Sequence, residues 1–387
     1  MKSPLQKSLV VACCVVLCAA FFRLAVKGEQ QNPSSHVKTP PQSNLENPIS
    51  KPSSNPRSNP LSEPTPSFID VSDGKKNPAS FDKLQKKYNL VSIPTYDGSY
   101  QLTHPKVLYF AKGWNGYKYW MSMTPYPFGN DDFENPSIVV SNDGKKWAAP
   151  KGLKNPASGQ PPDVKTGGHY SDPQIVMREN TMELWYRYNP QRKGSRYPNN
   201  GINIYYRRTT TDGIYWSAPQ RLLQSPNGYL SLCVLYENGL YRTWYASYGG
   251  DLCYTESRDA LTWSTPRVCK VPLPKGLQCY HQDMIKDGST YYLLQTAKKV
   301  SDYTFQLFLL KSDDGIHFTM VQPIMPSKDT TLWKNISFYR STVFVKDNKM
   351  NFYISLIIPK RKWYITHMEM PMPLPKAQNT MQTGNGS

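Results

Sequence analysis

Ser141-Asn-Asp-Gly-Lys-Lys-Trp147 is one copy of a turn that the chain uses again and again. The pattern is a hydroxyl residue, any residue, Asp, Gly, two more residues and an aromatic. It returns as TTDGIYW ending at Trp216, as SRDALTW ending at Trp263 with Ala260 in the glycine place, and as SDDGIHF ending at Phe318. Asp-Gly makes a tight turn in which glycine takes a positive φ. The carboxylate bonds back to turn amides, and the aromatic packs under the next strand. A recurring turn of this length marks a repeated module.

Each copy follows a run of alternating aromatic and β-branched residues: 136–140, 202–206, 251–254 and 305–310. Two further strand-like runs lie upstream in each unit, for example Lys106 to Phe110 with Tyr117 to Met123. A last set, at 341–345, 350–357 and 363–368, lacks the turn. Modules of about 40–50 residues holding four short antiparallel strands are the mark of propeller blades. The expected fold is therefore all-β, a five-bladed β-propeller. Its last blade supplies three strands, so part of Lys87 to Tyr96 is expected to close the ring as the outer fourth strand and remove the open edge.

The ends of the chain differ in kind. Residues 1–28 carry Lys2 and Lys7 before the apolar run Leu9 to Phe22, which suits a signal peptide or a marginal membrane anchor. Residues 29–80 are rich in Pro, Ser and Asn and read as a disordered linker, because such a stretch cannot bury enough surface to offset its ordering entropy. Residues 81–372 form the propeller and 373–387 a disordered tail. The expectation is an exported protein, membrane-anchored with the propeller outside or secreted. Four cysteines of the propeller, Cys233, Cys253, Cys269 and Cys279, permit one or two disulfides there, with Cys269 and Cys279 the easier pair, and free buried thiols are the alternative. The net charge of +18 favours an anionic partner. No arginine-rich run or RNA-binding aromatic signature points to nucleic acid. No zinc spacing or dense acidic loop points to a metal or other cofactor.

In a propeller, the residues just before the first and third strands of each blade crowd one mouth. The positions falling there are His104-Pro105, Glu134-Asn-Pro136, His169-Tyr170-Ser-Asp172-Pro173, Ser231, His281-Gln-Asp283 and Tyr339-Arg340. Carboxylates, imidazoles and a guanidinium would converge in one funnel. Trp114, Tyr126, Tyr170 and Tyr229 are candidates for stacking on sugar rings, whereas Trp120, Trp185 and Trp244 sit in second strands and read as packing between blades.

Asp-Pro-like dipeptides opening the inner strands, together with Ser-x-Asp-Gly-x-x-Trp turns, resemble the five-bladed glycoside hydrolases of the arabinanase, xylosidase, invertase and levansucrase kind. The resemblance spans about residues 85–370. It implies a carboxylate base or nucleophile opening blade one, a second Asp opening blade two and a Glu acid in blade three. Asp172 matches the second, whereas His104 and Ser231 stand where the family has Asp and Glu. A rearranged team of Glu134 as acid with Asp172 and Asp283 would satisfy the two-carboxyl requirement of glycoside cleavage. His104, His169, His281, Arg340 and Tyr170 would bind the substrate. The expected partner is a cell-surface or extracellular glycan. A non-catalytic sugar-binding propeller and a protein-interaction scaffold are the alternatives, and nothing in the sequence fixes an oligomeric state.

Overall fold

The structure, a computed structural model, describes residues 79–190, 203–225, 228–302, 304–326 and 330–372. The expected leader, nearly all of the linker and the tail lie outside the described residues. Among the described residues no helix is long and apolar enough to cross a membrane.

Five antiparallel sheets follow one another along the chain. The first holds β1 (Leu102–Trp114), β2 (Tyr117–Pro125) and β3 (Ser137–Ser141), with Ala148 pairing Val140 where a fourth strand would run. The second holds β4 (His169–Arg178), β5 (Thr181–Asn189), β6 (Asn203–Thr210) and β7 (Gln220–Ser225). The third holds β8 (Gly228–Glu237), β9 (Leu240–Ser247), β10 (Leu252–Ser257) and β11 (Arg267–Val268). In the fourth are β12 (Leu277–Asp287), β13 (Thr290–Lys299), β14 (Phe305–Ser312) and β15 (Thr319–Pro323). The fifth has β16 (Ser337–Phe338) and β17 (Thr342–Lys346) on one edge of β18 (Lys349–Ile358) and β19 (Lys362–Pro371) on the other. The inner strands β1, β4, β8, β12 and β17 touch in cyclic order, β17 returning to β1. The sheets are therefore the blades of a closed five-bladed propeller.

The repeated turn has one geometry throughout. The Ser141 hydroxyl accepts from Gly144 N at 2.9 Å, and Asp143 Oδ1 accepts from Lys145 N and Lys146 N, each at 2.8 Å. The other three copies repeat these bonds, and the third turn even holds Ala260 at φ 65°. Each turn also receives an aromatic from the second strand of the preceding blade. Trp120 lies where a Cβ on Gly213 would be, Trp244 donates its indole N–H to Gly315 O at 2.7 Å, and Tyr353 donates to Gly144 O at 2.6 Å. Trp185 packs in the same cluster as Ala260. Trp120, Trp185 and Trp244 are fully buried, as packing between blades requires. Truncating one of them to alanine would cost about 3–5 kcal/mol.

Closure follows the expected route in a shorter form. Leu90 makes a single antiparallel bridge to Thr366 of β19, with Val91 N donating to Ile365 O at 2.8 Å. Ahead of it stands a helix the strand pattern does not anticipate, α1 (Ala79–Tyr88), with Asp82 in its first turn and Lys86 and Lys87 in its last. Phe81 and Tyr88, seven positions apart on one face, are buried against Tyr100, Tyr364 and Trp333. Of the alternatives open to the cysteines, the structure has the free one: all four propeller cysteines are buried free thiols. Burial pushes Cys233, Cys269 and Cys279 up to about 12, which keeps them protonated and unreactive.

Candidate active site

Alternation along a strand sends every second side chain to the propeller axis, so each inner strand contributes one residue at the mouth and another one step further in. The mouth ring is His104, Asp172, Ser231, His281 and Arg340. Two residues further along the same strands stand Lys106, Gln174, Cys233, Asp283 and Thr342. All ten are buried. His104, Asp172 and Ser231 share a feature that a sequence does not display: each sits at positive φ (57°, 50° and 58°), where the register of its inner strand slips. Such backbone costs about 1–3 kcal/mol per residue and clusters at functional sites.

Asp172 is the hub of the outer ring. Its Oδ2 lies 3.0 Å from Arg187 Nε as an ion pair, while that N–H donates to the Ser171 hydroxyl at 3.0 Å. Its Oδ1 faces His104 Nε2 at 3.3 Å, Arg340 Nη1 at 3.7 Å, His281 Nδ1 at 3.8 Å and the Ser231 hydroxyl, which donates at 3.4 Å. Glu134 comes from the loop between β2 and β3, after a tight turn in which its N–H donates to Asp131 O. It lies 3.0 Å from His104 Nδ1 and 3.4 Å from His169 Nε2. Thr124 also meets His104 Nδ1, at 3.0 Å, and Asn189 meets His169 Nε2, at 3.1 Å. Tyr280 and Tyr339 wall one side, both ring centroids 4.4 Å from that of His281.

Burial and neighbours set the charges. Burial foremost, then Asp131 and Asp172, raises the Glu134 carboxyl well above its ordinary range. Burial would also raise Asp172, but Arg187 leads a set of cationic neighbours that holds it below the usual carboxylate range. Burial lowers His104 to about 3 and pushes His281 and His169 down too, so these imidazoles are neutral.

Neutral imidazoles leave lone pairs to be accounted for. The contact of His104 Nε2 with Asp172 is not aligned as a hydrogen bond, and neither nitrogen of His281 has a hydrogen-bond partner. One donor atom from each of His104, Asp172 and His281 lies within 4.8 Å of the others. Two imidazoles and a carboxylate, buried and with nitrogens unpartnered, form a set that fits a divalent transition metal. The sequence reading expects no metal, because the three ligands come from three blades and carry no local spacing.

The inner ring has a different character. Asp283 pairs with Lys106 Nζ at 2.7 Å and accepts from the Thr342 hydroxyl at 2.7 Å and Val343 N at 3.0 Å. Arg340 Nη2 donates to Gln174 Oε1 at 2.9 Å, tying the two rings together. These bonds plug the channel below the mouth.

Of the expected site residues, the structure gathers His104, Glu134, His169, Asp172, His281 and Arg340 at one mouth. It places Asp283 one step below them, committed to Lys106. Tyr170 packs between blades with Tyr186 and Tyr188 and does not line the funnel. Trp114 ends β1 at the opposite face, packed on Trp120. Tyr126 is at the mouth, donating to Asp131 Oδ1 at 2.7 Å and packing on Trp363. The Tyr229 side chain is outside the described residues. Sequence reasoning missed Arg187, Lys106 and Asn189. A charged residue in the aromatic strand Leu-Trp-Tyr-Arg187-Tyr was the available signal for the first.

No protein-family model matches the chain. A curated relative, the A type blood N-acetyl-alpha-D-galactosamine deacetylase of Flavonifractor plautii, is 26% identical over 298 residues, covering 63% of this chain and 38% of the relative. The chain thus spans well under half of that protein's length. A crystal structure of an N-acetylgalactosamine deacetylase from F. plautii, in complex with blood group B trisaccharide, superposes with a TM-score of 0.64 at 21% identity over 73% of this chain and 94% of that one. The chain shares its five-bladed fold. Xylan beta-1,4-xylosidase from Bacillus halodurans C-125 (TM-score 0.53, 14% identity, 70% of this chain and 53% of that one) has the same fold. So does a thermostable family-43 glycoside hydrolase (TM-score 0.51, 14% identity, 70% and 90%). The fold is therefore the one the turn repeats and blade entrances suggest, shared by carbohydrate-active hydrolases of more than one chemistry.

Proposed function

We propose that this propeller is a carbohydrate deacylase, hydrolysing the acetamido group of an amino sugar in an extracellular or cell-surface glycan, with a divalent cation held by His104, Asp172 and His281. The carrying observation is that buried two-histidine, one-carboxylate cluster with the His281 nitrogens unpartnered. The deacetylase relative supports the same choice of reaction. A cation there would act as a Lewis acid on the amide carbonyl. Glu134, set between His104 and His169, takes the proton of the attacking water and returns it to the departing nitrogen. The C–O bond forms, the C–N bond breaks, and acetate and a free amine leave. Arg187 fixes Asp172, and Tyr280 and Tyr339 offer ring faces to the sugar. Export, read from residues 1–28, belongs to this proposal, and the inert buried thiols are compatible with an oxidising compartment.

Glycoside hydrolysis by Glu134 and Asp172 is the second reading. Their contacts on opposite nitrogens of His104 hold the two carboxyls at most about 8.5 Å apart, within reach of the paired-carboxyl chemistry. Against it, the Asp172 side chain is wholly enclosed by Arg187, His104, His281 and Ser231.

The test is a screen of N-acetylated oligosaccharides, scored in parallel for acetate and for new reducing ends. The deacylase reading expects acetate alone, abolished by chelation and restored by a divalent metal, with about one metal per chain by elemental analysis. New reducing ends insensitive to chelator would establish the glycosidase instead. Binding with neither product would leave a sugar-binding propeller.

A further inference from the structure

We infer that the cavity between the fourth and fifth blades is a second sugar subsite. It would hold the residue next to the one that carries the acetamido group, and the inference rests on the deacylase reading above. The cavity measures about 540 Å³ and lies between the start of β14, from Thr304, and the segment 333–338 that leads into the fifth blade. Both walls are at the mouth face: Phe305 pairs with Lys298 at the mouth end of β13, and Tyr339 follows the segment directly.

Phe305 joins the two places. It lines the cavity and packs on Tyr280 and on Tyr339, each at 5.2 Å between ring centroids. Those two rings are the ones that wall His281. An unbroken aromatic surface therefore runs from the candidate metal ligand to the cavity.

The floor is apolar, formed by buried Trp333 and Phe338. The rim carries Lys334 and Asn335, both exposed and with no side-chain hydrogen bond among the described residues. Ring faces below with amide and ammonium groups above suit a hexose, which presents one apolar face and a belt of hydroxyls. A lipid tail or an apolar peptide would leave those rim groups unused. A volume in the range of ordinary ligand pockets, about 300–1,000 Å³, accommodates a sugar ring without rearrangement.

The test uses the full chain carrying Glu134→Gln, titrated calorimetrically with N-acetylgalactosamine and with a trisaccharide bearing it at the non-reducing end. The subsite predicts that the trisaccharide binds at least about ten-fold more tightly. Asn335→Ala, Lys334→Ala and Phe305→Ala should each remove much of that gain while leaving the monosaccharide unchanged. The first two lie on the surface and leave the fold intact, so they keep the test valid if Phe305→Ala unfolds. Equal affinity for the two sugars would overturn the subsite and leave the deacylase reading standing. A trisaccharide advantage untouched by the rim variants would overturn it as well, by placing the second ring elsewhere. Binding of neither sugar would overturn both.

Discussion

The peripheral turns and the axial mouth are built by opposite rules. Four turns repeat the same side chains and the same bonds, with φ of 73°, 76°, 65° and 73° at the glycine place. The mouth repeats a backbone position and changes the side chain every time: His, Asp, Ser, His, Arg. Where the blades must be equivalent, their residues converge; where five strands meet around one axis, their residues diverge. The constant part therefore holds the ring together, and the variable part carries chemistry. One step below the mouth lies an intermediate case, a ring as varied as the mouth but bonded within the protein, Lys106, Cys233 and Thr342 to Asp283 and Gln174 to Arg340.

The sharpest test of this division is a change at the mouth that alters chemistry without altering fold. Glu134→Gln is nearly isosteric, and it replaces a group whose contacts are to His104 and His169. The expected result is a fall in kcat of about 10²–10⁴-fold, with the melting temperature unchanged. Unfolding by this variant would move Glu134 from the chemical part of the molecule to the structural part. One step down, the outcome should reverse. Lys106→Met leaves Asp283 buried without its cation, and breaking such a pair costs about 3–5 kcal/mol. Combining it with Asp283→Asn should recover most of that loss, because Val343 N keeps an acceptor. Denaturant midpoints of the two single variants and the double variant measure the coupling directly.

Why the fold could be read in the chain and the roles at the mouth only in part follows from the same contrast. A Ser-x-Asp-Gly turn is local: the residues that make it are neighbours in sequence, so its recurrence is visible by inspection. The mouth is assembled from blades tens to hundreds of residues apart. Position in a blade suffices to nominate His104, Asp172, His281 and Arg340. Partners are not so visible, because Lys106 and Asp283, 177 residues apart, meet only after the ring closes. His281 and Asp283 look equivalent in His-x-Asp, yet one repeat of the pleat puts the first among candidate metal ligands and the second in a structural ion pair. Tyr170 misleads in the same way. It adjoins His169, but alternation turns it into the inter-blade core. The helix α1 was hidden by its brevity, since Phe81 and Tyr88 find their partners in the last blade.

Smaller effects should come from the turns themselves. At Gly213 an added Cβ would fall 2.1 Å from Trp120, so Gly213→Ala should destabilise by about 1–3 kcal/mol through overpacking, beyond any backbone strain. Ala260 already carries a Cβ at φ 65°. Ala260→Gly should therefore stabilise or be neutral, within about 1 kcal/mol. Opposite signs from the two swaps would show that the positive φ of the turn decides the requirement for glycine, whereas destabilisation by both would show that the packing aromatic decides it.

The smallest effect is a pH dependence. Amides of Thr262 and then Leu261, with the Ser257 hydroxyl, hold the Asp259 carboxyl down at about 2, below its ordinary value of about 3.8. A carboxyl lowered on folding adds stability that is complete above its unfolded value and is lost as the pH falls through the folded one. The melting temperature of wild type should therefore exceed that of Asp259→Asn at pH 7, and the gap should close between about pH 4 and pH 2. Because the group is at the surface, added salt should leave most of the gap in place if amide hydrogen bonds cause it, and should shrink it if long-range charge does. A gap that stays constant through acid would mean that the aspartate shapes the turn by its side-chain geometry alone, and that the four copies are kept for packing.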